Sequence, residues 1–176
     1  MRKTLLMLSI MLGLFGLSVT AQTPSTNPAP VQVVYANLNQ LMRGVLYPAA
    51  NVVFAPQFES PDKVKQALDP GMATDPLTST FGGWQAVENA SLALAESANL
   101  LMIPGRVCSN GVPAPINDPD WTKFVQEVRD AAMQAYKLAQ AKDQDKISEQ
   151  SDAVSKSCEH CHNKWRNRKS AANRCK

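Results

Sequence analysis

The sequence predicts an all-α protein, an antiparallel up-down-up-down four-helix bundle. Four stretches of the 176-residue chain repeat apolar residues at spacings of three and four, the period of an amphipathic helix. No pair of stretches combines the alternating pattern and the turn residues of a β-hairpin. Four helices of roughly 20 to 25 residues each must bury their apolar faces against one another, and a bundle achieves this.

Residues 1–21 have the features of a secretory signal peptide. Arg2 and Lys3 form a positive start, an apolar run from Leu5 to Val19 follows, and small residues lead up to Ala21. The run is shorter than the ~20 residues that cross a bilayer, so we expect cleavage after Ala21 rather than an uncleaved membrane anchor. Export predicts a mature chain in the periplasm, where disulfides persist.

Residues 22–31 form a polar linker, and residues 32–176 form the predicted bundle domain. The whole chain has a net charge of +3, from 18 basic and 15 acidic residues. Without Arg2 and Lys3 the balance is 16 against 15, or +1. So small a charge argues against nucleic-acid binding. No stretch after the leader is long and apolar enough to span a membrane, so we expect a chain that is not membrane-spanning.

The first helix is predicted from about Gln32 to Ala55. Pro48 lies inside it and predicts a kink rather than an end, because the apolar pattern continues in phase. Residues 56–80 hold four prolines and form a connection, with a short helix expected at 62–68. The residues expected on the buried face of the first helix are Val34, Leu38, Leu41, Met42, Val45, Leu46, Ala49, Val52 and Val53.

The second helix is predicted from about Gly83 to Ile103, where Pro104-Gly105 ends it. A loop over 104–117 follows. The residues of the second helix expected to face inward are Trp84, Val87, Ser91, Leu94, Ala98 and Leu101.

The third helix is predicted to run to about Ala141, with Asp118 as its N-cap and Pro119 in its first position. Asp143 or Asp145 caps the fourth helix, which continues to about residue 169. The buried residues expected on these two helices are Trp121, Phe124, Val125, Val128, Ala132, Ala135 and Leu138, then Ile147, Val154, Cys158, Cys161 and Trp165.

The fourth helix contains a C-x-x-C-H motif at residues 158–162, which is the attachment signature of a c-type haem. Residues three and four apart share a helix face, so Cys158, Cys161 and His162 project to one side. The two thiols can form thioether bonds with the two vinyl groups of a haem, and the imidazole can bind its iron from the same side.

Three other interpretations of the motif are weaker. A redox-active C-x-x-C requires a βαβ context and a helix N-terminus, and this motif lies late in a helix. A structural zinc site requires a fourth protein ligand, and His160 projects away from the motif's face. A disulfide between helical residues three apart has poor geometry. We therefore expect one covalent haem c.

A four-helix chain with this motif in its last helix resembles the class II c-type cytochromes, the cytochrome c′ and cytochrome c-556 family. Family members continue the motif as C-H-x-x-(Tyr/Phe)-Arg, and residues 161–166 read CHNKWR, with Trp165 in the aromatic position and Arg166 matching. Residues 38–43, LNQLMR, are similar to the opening helix of six-coordinate members. The resemblance covers residues 32–169. It implies a bundle that often forms homodimers.

The second iron ligand follows from helix arithmetic and from the resemblance. In the predicted topology, the start of the first helix and the end of the fourth lie together. At 1.5 Å per residue, Met42 lies about 15 Å and His162 about 12 Å from that end. Met133 lies roughly 22 Å from that end. Met102 lies almost at the end itself, and Met72 falls in the loop at the opposite end. We expect Met42 to bind the iron, with core filling as the alternative.

Further residues are expected around this haem. Leu38, Leu41 and Val45 would form the wall on the side of Met42. Arg43 would pair with a haem propionate, and the resemblance places Arg166 beside the proximal histidine. A solvated surface position is the alternative for each arginine.

The other two cysteines are Cys108, in the loop between the second and third helices, and Cys175, after the fourth helix. In the predicted topology both lie at the haem end. Because an oxidising compartment favours disulfides, we expect a Cys108–Cys175 bond. Two unpaired thiols are the alternative.

These residues predict a periplasmic one-electron carrier that exchanges electrons with redox partner proteins. The alternative is a five-coordinate module that binds nitric oxide or carbon monoxide. A small peroxidase ranks last, because the first helix offers no histidine or carboxylate on its pocket side for acid-base chemistry. We therefore expect the chain not to be an enzyme.

Overall fold

The computed structural model describes residues 32–167 and Cys175. These residues form four long helical stretches and no strand, with one isolated β-bridge between Val107 and Pro113. The all-α class is thus confirmed. None of the described helices is long and apolar enough to cross a membrane. The predicted leader, its cleavage after Ala21, the linker at 22–31 and the fourth helix beyond residue 167 fall outside the described residues.

The first helix, α1, begins at Leu38 rather than near the predicted Gln32. Asn37 and Gln40 form a capping box: Asn37 Oδ1 accepts from the Gln40 amide at 2.9 Å, and the Asn37 amide donates to Gln40 Oε1 at 3.0 Å. Such a box satisfies amide groups that have no partner inside the helix, and it therefore sets where the helix starts. The helix ends at Phe54.

A π-helical turn at Met42–Leu46 interrupts α1 just before Pro48. In a regular α-helix the ring of Pro48 would press against the carbonyl of Gly44, and the wider turn relieves this conflict. The helix therefore continues through the proline. The extra residue in the turn also changes which side chains face inward, so Val45 is 39% exposed whereas Leu46 is 6% exposed. The prediction that Val45 is buried is wrong for this reason.

The connection after α1 contains short 3₁₀ turns at Ala55–Gln57, Pro61–Lys63 and Pro70–Met72. The helix predicted at 62–68 does not form beyond Lys63. Val64 is extended, and its carbonyl accepts from the Gly83 amide at 2.9 Å. Gly83 has a φ of +26°, and a β-carbon there would overlap the Pro61 carbonyl. The connection thus packs tightly against the start of the next helix.

The second helix, α2, spans Gly83–Ser97 and continues as a 3₁₀ turn over Ala98–Met102. It forms because its apolar positions recur at helical spacing. All six residues predicted to face inward on this helix are buried: Trp84, Val87, Ser91, Leu94, Ala98 and Leu101.

The third helix, α3, spans Pro119–Gln140, and the fourth, α4, spans Gln144–Cys161. Asp118 Oδ1 accepts from the Asp120 amide at 2.9 Å, which confirms the predicted N-cap of α3. Asp143 Oδ1 accepts from the Lys146 amide at 3.1 Å, so Asp143 is the cap of α4. A second π turn, His162–Arg166, extends α4.

The four helices share one apolar core. Helix α2 packs against α3, α3 packs against α4, and α1 contacts both α2 and α4. Phe124 and Leu138 on α3 are only half-buried, whereas the other predicted α3 positions are buried. The fully buried large side chains at the centre are Val53, Leu94, Val125, Ile147 and Val154.

Candidate functional site

The three motif residues predicted to share a helix face line one cavity. Cys158 and Cys161 lie in the last turns of α4, and His162 begins the π turn that follows. All three are half-buried, and they border a mostly apolar cavity of about 600 Å³. The helical spacing of the motif therefore directs two thiols and an imidazole into the same apolar space.

Helix α1 contributes Leu38, Met42, Leu46 and Ala50 to this cavity. These residues recur every four positions, so they form one continuous face. Of the methionines that the structure describes, Met42 alone lines the cavity. Met72 and Met133 are 78% and 37% exposed. Met42 thus borders the space that the motif residues border.

Part of the predicted wall around Met42 is wrong. Leu38 lines the cavity, but Leu41 is buried in the core and Val45 faces solvent. Leu46 lines the cavity in their place, because the π turn adds a residue before it. Tyr47 also borders the cavity although it is 62% exposed, and the apolar pattern gives no signal for it.

Helices α2 and α3 supply further cavity-lining residues: Leu94 and Leu101 from α2, then Trp121 and Val128 from α3. The indole Nε1 of Trp121 donates to the Leu101 carbonyl at 3.2 Å, so its buried polar atom is satisfied. The apolar period identified these residues as buried. It does not distinguish a residue that fills the core from one that borders a cavity.

Burial sets the protonation of the motif thiols. It raises the pKa of Cys158 above its ordinary value and raises the pKa of Cys161 to about 12. Both thiols are therefore protonated at neutral pH. Redox-active C-x-x-C cysteines have the opposite property, a lowered pKa that favours the thiolate. The environment thus disfavours the redox-dithiol interpretation of the motif.

The imidazole of His162 is neutral at pH 7. Burial, and then the nearby charge of Arg166, lower its pKa from 6.5 to about 4. Arg166 Nη1 lies 3.5 Å from His162 Nε2, and the Arg166 side chain is exposed. The neutral ring is the form that binds a metal ion. Arg43 is exposed on α1 and borders the same cavity.

His160 points away from the cavity. Its Nδ1 lies 2.6 Å from Glu127 Oε2, and its ring centroid lies 5.4 Å from that of Phe124 on α3. In the described part of the chain, no three or more His, Cys, Asp and Glu side chains are grouped so as to hold a metal ion. The two histidines of the motif region therefore face different surroundings.

The π turn after His162 is attached to the start of α3. Lys164 Nζ donates to both carboxylate oxygens of Asp118 at 2.9 and 2.8 Å and to Asp120 Oδ2 at 2.7 Å. The hydrogen bond from Lys164 lowers the pKa of Asp118 and raises the pKa of Lys164, so both are charged at neutral pH. The Trp165 ring lies edge-on to Trp121 at 5.1 Å.

The structure joins Cys108 to Cys175 in a disulfide whose Cα atoms are 5.1 Å apart. Cys108 is buried, and Cys175 borders the cavity. The Cys175 amide donates to the Trp165 carbonyl at 3.0 Å. The bond therefore attaches Cys175 beside the motif residues, while Cys158 and Cys161 carry free thiols.

Comparisons with models of protein families, with curated proteins and with solved structures find no match to this chain. The chemistry of the site residues is therefore the basis for a functional proposal.

Proposed function

We propose that this chain is an exported mono-haem cytochrome of the class II c type, which carries single electrons between redox proteins of the periplasm. One observation supports this above all others. The thiols and imidazole of the C-x-x-C-H motif border an apolar cavity of about 600 Å³ that Met42 also borders. These are the donor groups of a c-type haem site with histidine and methionine ligands.

The residues present fit a covalently attached haem. Cys158 and Cys161 are free, as cysteines must be to add across haem vinyl groups and form thioether bonds. The neutral ring of His162 has a lone pair for the iron, and Met42 has a thioether sulfur. When bound, the haem would supply an iron atom that alternates between two oxidation states.

The surrounding residues would control what reaches that iron. Leu38, Leu46 and Ala50 present apolar groups from α1, and an apolar surround of this kind would favour electron transfer over reaction at the metal. Arg43 borders the same cavity and would pair with a haem propionate, whereas Arg166 lies beside His162, the proposed proximal ligand. In this proposal the chain has no substrate to convert and is not an enzyme.

The contacts between helices support the proposed antiparallel up-down-up-down bundle. Each helix packs against the helix that follows it, and α1 also meets α4. Short connections link α3 to α4, as expected for antiparallel neighbours. This arrangement would bring the first and last helices together around the haem.

The test is expression of the full chain in an exporting host that has the machinery for c-type haem attachment. We expect a coloured protein whose mass exceeds that of the polypeptide by one haem, and a mature N-terminus at Gln22. Low-spin spectra in both oxidation states would support the electron carrier. A high-spin ferrous form that binds carbon monoxide would support the gas-binding alternative. A colourless product with only the polypeptide mass would refute both.

A further inference from the structure

His162 lies in the last described turn of α4. The π turn His162–Arg166 closes with the Asn167 amide donating to the His162 carbonyl at 2.7 Å. The final turns of a helix open more easily than its interior, because their carbonyls have no partners further along the helix. An imidazole in this position therefore needs support from outside its own helix to keep one orientation.

Lys164 provides a connection to another helix. Its ammonium makes three hydrogen bonds to two carboxylates in the first turn of α3, those of Asp118 and Asp120. About 29% of the Lys164 side chain and 31% of the Asp118 side chain are exposed. Exposed single ion pairs contribute little, but a partly buried pair with several well-formed hydrogen bonds restricts the geometry of both partners.

Lys164 lies two residues after His162, so its side chain leaves the helix on a different side from the imidazole. His162 and Trp165 border the cavity, whereas Lys164, Asp118 and Asp120 do not. Lys164 Nζ also lies 4.7 Å from the Trp165 ring centroid, and that ring packs against Trp121. The ion pairs of Lys164 therefore hold the turn from outside the cavity, while His162 and Trp165 border it.

We propose that Lys164, held by Asp118 and Asp120, is a positioning residue that fixes the orientation of the His162 imidazole toward the iron. The proposal rests on the proposed haem function, because it takes His162 as an iron ligand. Lys164 does not line the cavity, so it would act on the imidazole through the backbone of the π turn. Its loss leaves the imidazole on a turn that opens more often and permits several ring orientations.

The experiment compares four variants of the full mature chain as it is purified. Lys164→Met removes the ammonium, Lys164→Arg keeps a cation, and the double variant Asp118→Asn, Asp120→Asn removes the acceptor charges. Asparagine remains a good N-cap, so α3 keeps its start. Lys146→Met is the matched control, because it removes a lysine that pairs with Asp143 at 2.8 Å at the other end of α4.

Two measurements are made on each variant. Hydrogen exchange reports the opening of residues 162–167, and we expect it to be several-fold faster in Lys164→Met and in the double asparagine variant. The electron paramagnetic resonance of the ferric haem reports the ligand orientation, and we expect the same direction of change in both. Lys164→Arg should keep both the exchange rate and the resonance spectrum close to those of the native protein. Lys146→Met should change neither measurement.

A purely electrostatic role would give a different pattern. Removal of a cation and removal of two carboxylates change the local charge in opposite directions, so they would shift the haem signals in opposite directions. Such opposite shifts would overturn the proposal. So would exchange rates and spectra of Lys164→Met and the double asparagine variant that equal those of Lys146→Met. If the purified chain holds no haem, the proposed function fails, whereas faster exchange at 162–167 still measures the hold of Lys164 on the turn.

Discussion

Met42 and His162 border the same apolar cavity from the first and the last helix of the described chain. Met42 is the first residue of one π turn, and His162 is the first residue of the other. Each site residue thus lies where a helix widens locally, a feature that is frequent at functional sites. Met42 and His162 are far apart in the sequence, so they border one cavity only because the first and last helices pack together.

Replacement of Met42 by alanine should convert the haem from six-coordinate to five-coordinate. The ferrous spectrum should change from low-spin to high-spin, carbon monoxide should bind readily, and the reduction potential should fall, because a methionine ligand raises it. Absorption spectra with and without carbon monoxide provide the measurement. Met133→Ala is the control, since Met133 is exposed on α3 and does not border the cavity. Identical spectra for Met42→Ala and the native protein would disprove the ligand assignment.

Replacement of both motif cysteines by serine should leave the haem without its covalent bonds. Acidified organic solvent should then extract the haem from Cys158→Ser, Cys161→Ser, whereas the native protein should retain it. The control variant Cys108→Ser, Cys175→Ser removes the same number of cysteines outside the motif and should still retain the haem. Loss of haem from the control, or retention by the motif variant, would contradict the proposed attachment.

His162 should make the haem-free chain less stable as the pH is lowered. Its folded-state pKa is lowered from 6.5 to about 4, so the unfolded chain binds the proton first as the pH decreases. The free energy of unfolding therefore decreases from about pH 6.5 toward pH 4. Urea unfolding of the chain made in a host without the haem-attachment machinery should show this loss, and His162→Gln should remove part of it. Equal pH dependence with and without His162→Gln would count against the buried neutral ring.

The Cys108–Cys175 disulfide should stabilise the folded chain by about 2–4 kcal/mol, because it closes a loop across 67 residues and restricts the unfolded state. A thiol reductant should lower the free energy of unfolding of the native protein, measured by urea titration, by this amount while the haem stays attached. The same reductant should have no effect on Cys108→Ser, Cys175→Ser. Detection of four free thiols in the haem-free, unreduced protein would show that the bond does not form.

Local signals in the sequence predicted the helix starts well. Asp118 with Pro119, and Asp143, mark the beginnings of α3 and α4 because a capping side chain acts on amides within three residues of itself. The same signal is present for α1 in Asn37 and Gln40, but the apolar pattern begins before them and predicts an earlier start. Apolar spacing also predicted the buried face of α2, since burial depends on the helical period.

Features that depend on packing were not predictable from spacing. Val45 fits the apolar stripe of a regular helix, and only the π turn before Pro48 turns it to solvent. The short helix expected at 62–68 is prevented by contacts with Gly83, which lies later in the sequence. The ion-pair network of Lys164 joins residues of two helices, so no local pattern reveals it. The sequence therefore predicts the chemistry of the C-x-x-C-H motif but not the ion pairs that hold the turn after it.

The single carboxylate of Asp118 accepts hydrogen bonds from two helices. It caps the first turn of α3 and also accepts two hydrogen bonds from Lys164 near the end of α4. Fraying at either helix end removes a partner from the other, so we expect hydrogen exchange at the two ends to respond together. In chains descended from a common ancestor with this one, a change at position 118 or 164 should therefore be accompanied by a compensating change at the other position.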